Sequence, residues 1–306
     1  MLRSMYSGIS GLRNFQTKLD VIGNNIANVN TYGFKKGRTI FKDLISQTVA
    51  GASASGDVRG GVNAKQVGLG SQIAAIDTIH TGGSTQFTGN TLDLAVAGDG
   101  FFQVGQINDG EVENIQYTRA GNFYMDNLGY LVNGEGQLLV GVDGVEVTVP
   151  VDPATPDIYE DADIATVTPI DPTTPDATRD ALSRISIPTT AQSMSIAQDG
   201  KVTFVDSEGV LKYAGTLVMA KFPNPGGLEK VGGNKYQVSP NSGGAVYGEP
   251  TAQGIGKVES GFLEMSNVDL AEEFTEMIVA QRGFQANTRI ITTSDEILQE
   301  LVNLKR

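Results

Sequence analysis

Apolar side chains fall into seven-residue columns at both ends of the chain. At the amino end Met5, Leu12, Leu19 and Ile26 form one column and Phe15, Ile22 and Val29 another, with Leu2 and Ile9 alongside. At the carboxy end Met277, Phe284, Ile291 and Leu298 form a column, flanked by Ile290, Ile297 and Leu304. This spacing predicts two helices that each lie along other helices, one from Met1 to about Asn30 and one from Ser266 to Arg306. The run Ser266-Asn267-Val268-Asp269 has the form of a capping box, and Lys305 and Arg306 suit the negative end of the helix dipole. At about 1.5 Å per residue the second helix reaches roughly 55–60 Å. Each fully buried Leu, Ile or Phe contributes ~1.5–3 kcal/mol, but two isolated helices cannot bury seams on several faces. The remaining burial has to come from other copies of the chain.

Between the helices the pattern changes to short β-rich runs. Leu92–Ala97, Phe101–Val104, Ile115–Arg119, Tyr130–Val132, Leu138–Val140, Val202–Val205 and Leu217–Phe222 read as strands. The pairs Asp99-Gly100, Asn133-Gly134, Asp143-Gly144 and Asp199-Gly200 beside them supply the positive φ angles of tight hairpins. The expected fold class is therefore α+β, with a discontinuous antiparallel β domain built from residues 73–142 and 183–254. Residues 1–32 and 266–306 form a helical core, and 33–72 with 255–265 connect the two. Ser46–Gly70 is rich in Gly, Ala and Ser and reads as a linker or extended connection. The polar run Gly23–Thr31 closes the first helix, with Gly33 as a left-handed terminator. Asn24 and Asn28, four apart on one face, either belong to a frayed helix end or supply hydrogen bonds that fix register with neighbouring subunits.

Residues 143–182 stand apart. Between 143 and 180 there are ten acidic residues against Arg179 alone, which carries −9 of the chain's net −13, and six of its eleven prolines. Proline confines φ and removes a donor, so this insert reads as a solvated loop; a carboxylate-lined calcium site is the alternative, although no EF-hand spacing is present. An excess of 35 acidic over 22 basic residues argues against a nucleic-acid partner or an anionic membrane surface. Without cysteine there is neither a disulfide nor a thiolate metal site. No apolar run reaches the ~18 residues of a membrane span, and the first ten residues do not open a cleavable secretion signal. His80 is the sole histidine, so a chelate of several histidines is ruled out and a catalytic base would rest on one residue. Asn241-Ser242-Gly243-Gly244 has Pro240 and Asn241 where a nucleophile turn of the serine-protease kind needs Gly and Asp. No catalytic, cofactor or metal residues are expected, and the chain is not expected to be an enzyme.

Three longer blocks carry a resemblance. Asn24-Asn25-Ile26-Ala27-Asn28 followed by Asn30-Thr31-Tyr32-Gly33-Phe34-Lys35-Lys36 resembles the amino-terminal signature of the bacterial flagellar rod and hook axial proteins. Tyr117-Thr118-Arg119-Ala120-Gly121-Asn122-Phe123 is similar to their central block. Gly261–Leu270 and Met277–Asn287 resemble their carboxy-terminal signature. The resemblance covers most of the chain outside 143–182, and implies a structural subunit that polymerises with itself into a helical tube.

Met5, Leu12, Leu19, Asn24, Ile26, Asn28, Met277, Phe284, Ile291 and Leu298 are then the expected assembly residues. Within the family the motifs stand closest to the shorter hook proteins, and an acidic outer insert sits more easily outside the cell. The expected function is therefore that of the hook, a flexible universal joint passing torque from rod to filament. A distal rod protein of the basal body is one alternative, and a secreted monomeric β-domain that binds a ligand is another.

The resemblance further implies export through the flagellar type III apparatus without signal cleavage. It implies contacts with rod proteins, hook–filament junction proteins and a hook cap, and a final place in the flagellum outside the cytoplasm. Phe41, followed four residues later by Ile45, resembles the short signal that such subunits show to the export gate while unfolded. The other reading is that both side chains pack in the connecting region.

Because acidic, proline-rich loops make few buried contacts, and loop closure costs only ~0.6 kcal/mol per doubling of length, replacing residues 145–180 by a short Gly-Ser loop should leave polymerisation intact. Electron microscopy of the purified shortened protein checks this; failure to fold or polymerise would identify the insert as a packed element.

Overall fold

The computed structural model describes residues 2–55, 59–108, 111–143 and 183–304. The acidic insert beyond Asp143, the tip of the Ser46–Gly70 stretch, and Lys305 and Arg306 lie outside the described residues. The chain divides into two compact units, one of Met1–Val29, Lys35–Ile79 and Val268–Arg306, the other of Asn30–Phe34 and His80–Asn267.

The first unit holds both long helices, α1 (Leu2–Ala27) and α2 (Leu270–Leu304). They run antiparallel: Gly8 of α1 lies against Ile291 of α2, Gly11 against Asn287, and Phe15 against Gly283. With 35 residues against 26, α2 is about 52 Å long and its last turns extend past the start of α1. It begins three residues later than the capping-box pattern predicts. Ser266 is buried at 8% exposure, the Met265 amide donates to Ser84 O, and the Asn267 side chain is held by Thr81. The chain therefore stays extended to Val268. Asp269 becomes the cap, accepting the Ala271 amide at 2.8 Å, and Glu272 and Glu273 follow in the first turn, where the dipole favours them.

The stretch expected as a linker is a β-ribbon. Strands β1 (Gly37–Asp43) and β4 (Ser71–Thr78) pair antiparallel, and the ladder continues through β2 (Ser46–Ala50) with β3 (Lys65–Gly68) to a bridge between Ser53 and Val62. The base of the ribbon rests on α1. The Phe41 ring lies 6.3 Å from that of Phe15, and Asn14 donates to Ser71 Oγ at 2.8 Å.

The second unit is a many-stranded antiparallel sheet. Its main path runs through 193–196, 201–205, 211–217, 138–143, 101–108, 111–118, 235–237 and 229–232, each strand antiparallel to its neighbours. Phe101 and Phe102 are consecutive and point to opposite faces, as the two-residue period of a strand requires. Phe102 joins Leu94, Val104, Phe123, Leu139, Val202, Leu217 and Met219 in the main core, while Phe101 joins Tyr117, Phe222 and Tyr236 in a second cluster. With both faces covered, Phe101, Phe102, Gln103 and Val104 are all buried. The expected hairpin turn forms at Gly200, φ +84°, between the paired strands 193–196 and 201–205, whereas Gly100, φ +136°, follows a bend between 94–97 and 101–108, which pair with other strands. The α+β class, with terminal helices and an antiparallel β domain, is the architecture observed.

Tyr236, 2% exposed, has its phenol pushed up to about 12, first by burial, with the Glu264 carboxylate adding to the shift and Arg119 opposing it. The unfolded chain releases this proton near the ordinary value of about 10 while the folded chain keeps it. Stability should therefore be intact below pH 10 and fall by about 2–3 kcal/mol as pH rises from about 10 to about 12. Urea unfolding of Tyr236→Phe across that range should lack this component.

Candidate assembly site

In the helical unit small and polar side chains line much of the contact between α1 and α2, together with Phe15 against Gly283 and Ile291 against Gly8. The buried positions of α2 are Glu273, Ala280 and Ser294; half-buried Asn287 completes the seven-residue column. Facing it on α1 are Gly8, Gly11, Asn14, Ile22 and Asn25, all buried. A Cβ at Gly11 would meet the Asn287 amide at 2.8 Å, and one at Gly283 would meet the Phe15 ring at 2.5 Å, so these glycines let the two helices approach closely.

Polar bonds set the register. Asn25, 1% exposed, donates to Gly37 O at 2.9 Å and accepts from the Gly37 amide at 3.0 Å. Its second N–H reaches Glu273 Oε2 at 3.2 Å. One side chain thus ties the end of α1 to the start of β1 and to the first turn of α2. Around it, Lys18 pairs with Glu276, and Lys36 Nζ lies 2.8 Å from Glu272 Oε2.

The large apolar residues face the other way. Met5, Leu12, Leu19, Ile26, Met277, Ile291 and Leu298 are only half-buried. Phe284 is exposed, together with Phe274, Ile278, Val279, Ile290, Ile297, Leu301 and Leu304. Most of these residues thus lie at the margins of the intramolecular seam, whereas Ile291 enters it against Gly8 and Phe15 against Gly283, and Ile22, in the same column as Phe15, is buried. Asn24 and Asn28 bond to each other, Asn28 Nδ2 donating to Asn24 O at 2.9 Å and Asn24 Oδ1 at 3.1 Å; their neighbour Asn25 is the asparagine that holds register within the chain. Ile45 is 81% exposed beyond the end of β1, whereas Phe41 packs on α1, so the two residues of the export-signal pattern have different environments. Sequence reasoning passed over Asn25, Glu273, Asn287 and the glycines. The 273-280-287-294 column has the same seven-residue period, but a search for apolar columns cannot register it.

In the sheet unit the three sequence blocks meet at one buried ion pair. Arg119 Nη1 lies 3.3 Å from Glu264 Oε2, with side chains 2% and 1% exposed. The same glutamate accepts the Gly83 amide through Oε1 at 3.0 Å and the Gly33 amide through its backbone carbonyl at 2.8 Å. Arg119 also donates to Gly98 O at 2.9 Å and sits 5.1 Å over the Phe101 ring. Gly33, expected to end α1, is instead required by contact: its φ is +69°, and a Cβ there would lie 2.5 Å from the Ala120 nitrogen. Beside Arg119 a cavity of about 30 Å³, lined by His80, Asp99, Phe101, Lys221 and Phe222 among others, has room for a water but not for an organic ligand. Ser242 is fully buried, its hydroxyl donating to Ser239 O at 2.8 Å as part of its own turn. Among the described residues no acidic or histidine cluster is placed to hold a metal ion, and no helix is long and apolar enough to cross a membrane.

Paired terminal helices that leave large apolar side chains exposed, together with an antiparallel sheet unit, are the features of this chain to be set against known families. Residues 5–35 match the family described as flagella basal body rod protein. Residues 95–204 match the flagellar hook protein FlgE/F/G D1 domain, and 259–304 the C-terminal region of the flagellar basal body rod FlgEFG proteins. The chain belongs to this FlgE/F/G family of flagellar rod and hook structural proteins. It is 54% identical to the flagellar basal-body rod protein FlgG of Bacillus subtilis over 307 aligned residues that span all of both chains. It is 35% identical to FlgG of Agrobacterium fabrum over 97% of each. It is also 35% identical to the flagellar hook protein FlgE of Borreliella burgdorferi, over all of both chains in an alignment of 446 positions. A crystal structure of the Helicobacter pylori hook protein FlgE2 overlaps 34% of this chain and 22% of its own, with 25% identity and a TM-score of 0.24.

The exposed columns predict the behaviour of a charge placed on them. Ile297→Asp with Leu301→Asp, both exposed, should abolish polymerisation, since each buried aliphatic side chain supplies ~1.5–3 kcal/mol at a contact, while the melting of the sheet unit should stay unchanged. Sedimentation with near-UV circular dichroism checks both; filaments formed at the wild-type concentration would show that this face is not at the contact.

Proposed function

We propose that the protein is a structural subunit of the distal rod of the bacterial flagellum, polymerising with itself into a helical tube through its terminal helices. The observation that carries this is the end-to-end match in length and sequence to the rod protein FlgG, at 54% identity. The hook relative needs 446 alignment positions for the 306 residues of this chain, so at least 446 − 306 = 140 of them are gaps here. The hook expectation rested on blocks that rod and hook proteins share and on the acidic insert. The rod reading replaces it, and the hook cap and hook–filament junction proteins fall away as partners with it.

The outward columns of α1 and α2 support the mode of assembly. A helix pair that keeps Gly8, Gly11, Ala280 and Asn287 for itself and turns Phe274, Ile278, Phe284 and Ile290 outward leaves apolar surface that a neighbouring copy can bury. A contact between different faces of identical subunits repeats without closing. Met5, Leu12, Leu19, Ile26, Met277, Phe284, Ile291 and Leu298 are the residues we assign to that contact. Asn24 and Asn28 join it only at its polar margin. The neighbours on this reading are other copies, other rod proteins and hook subunits, reached by export through the flagellar type III apparatus without signal cleavage.

Immunogold labelling of an epitope-tagged chain in cells that make no hook protein tests the rod assignment. Label on basal bodies from those cells is the expected result, and label that appears only once hooks form would overturn it. For the export signal, Ile45 is the informative position because its exposure leaves little packing to lose. Ile45→Ala should lower secreted relative to cellular protein without changing stability or polymerisation in vitro, and undiminished secretion would remove Ile45 from the signal.

A further inference from the structure

Arg119 and Glu264 stand 145 residues apart in the chain and are both almost completely buried. A charge in that position is cut off from bulk water. Removing one partner of a buried pair is far more damaging than removing both, because the survivor is left uncompensated. The Gly98 carbonyl and the Phe101 ring beside Arg119 are dipole and quadrupole partners, and neither neutralises its charge.

The order of the elements gives this pair a direction. The main sheet path is complete by Gln237, its strands lying between Phe101 and that residue. The acid arrives later, on the short strand Phe262–Glu264 that pairs with Thr85–Phe87. A chain holding every strand of the sheet path but lacking residue 264 has to close its second cluster, Phe101 and Tyr236 included, around a bare guanidinium. It also leaves the Gly33 and Gly83 amides without the acceptors that residue 264 provides. Immediately after Glu264 comes α2, the longer of the two helices.

We propose that the Arg119–Glu264 pair is a folding interlock. It holds the sheet unit open until the block carrying Glu264 has joined it, so that a chain made or threaded from its amino end stays unfolded until nearly its whole length is present. Closure of the sheet then coincides with the arrival of α2. A sheet unit that closed earlier would belong to a subunit without its assembly helix. The inference holds for a rod or a hook subunit alike and does not depend on which the protein is.

The full-length chain tests this with Glu264→Gln, Arg119→Met and the double variant, Gln being chosen because its amide oxygen can still accept the Gly83 N–H. Urea unfolding followed by tyrosine near-UV circular dichroism should show the unfolded-to-folded ratio of Glu264→Gln raised about 100-fold or more. The double variant should return to within about tenfold of wild type although it carries one change more. If Glu264→Gln does not fold at all, recovery of the near-UV signal in the double variant reads the same rescue.

Amide exchange separates an interlock from an ordinary ion pair. In the wild type the Gly33 and Gly83 amides should open together with core amides such as Leu139 and Leu217. In the double variant they should exchange at least about tenfold faster than that core, because the sheet no longer waits for residue 264. A double variant no more stable than Glu264→Gln, Gly33 and Gly83 amides already faster than the core in the wild type, or their continued joint opening with the core in the double variant would each overturn the proposal.

Discussion

The sheet unit depends on one electrostatic constraint: a guanidinium and a carboxylate removed from water must find each other. Breaking such a pair costs about 3–5 kcal/mol, a large share of the ~5–15 kcal/mol by which a domain is stable. Arg119 and Glu264 meet that constraint with donors and acceptors from Gly33, Gly83 and Gly98. Segments distant in sequence are therefore fixed to one another at one point. The glycines follow from the same crowding. The backbone of Gly33 passes so close to Ala120, and that of Gly83 to Met265, that a Cβ at either would overlap backbone atoms at 2.5 and 2.0 Å.

The helical unit solves a different problem, since it has to hold its own helices together and still leave apolar surface for others. It does so by assigning the two tasks to different side chains. Small and amide residues make much of the α1–α2 seam, where close approach and the Asn25 hydrogen bonds set register, and most of the large aliphatic and aromatic residues of α2 remain on the flanks. Most helical stability in proteins comes from packing an apolar face.

How much of this was legible in the sequence depended on the range of the interaction. Periodicity and turn chemistry are local, so both helices and the strands around Phe101, Leu138 and Val202 were readable, as was the turn at Gly200. The ribbon from Gly37 to Thr78 was not, because its strands are poor in large side chains and are held by pairing across an intervening loop and by α1. Arg119 and Glu264 each stood within a recognised block, but no pattern in either block says that the two touch. The blocks are common to rod and hook proteins, so they point to the family, and the proposal of rod over hook rests on the length and identity of the whole chain.

The ribbon has a consequence of its own. Two paired strands leave a row of unused backbone donors and acceptors along each outer side, and such rows can template the addition of foreign strands. Here Ile40, Val49, Val67 and Ile76 are exposed on the same element, which adds to the hazard. The counterweights are the exposed charges Arg38, Lys42, Asp43 and Lys65 along the strands, and the irregularity in pairing at Ile40 and Phe41, which bends the ladder away from the flat shape that stacking needs. Charges and irregular pairing of this kind are the means by which sheet edges resist joining to foreign strands.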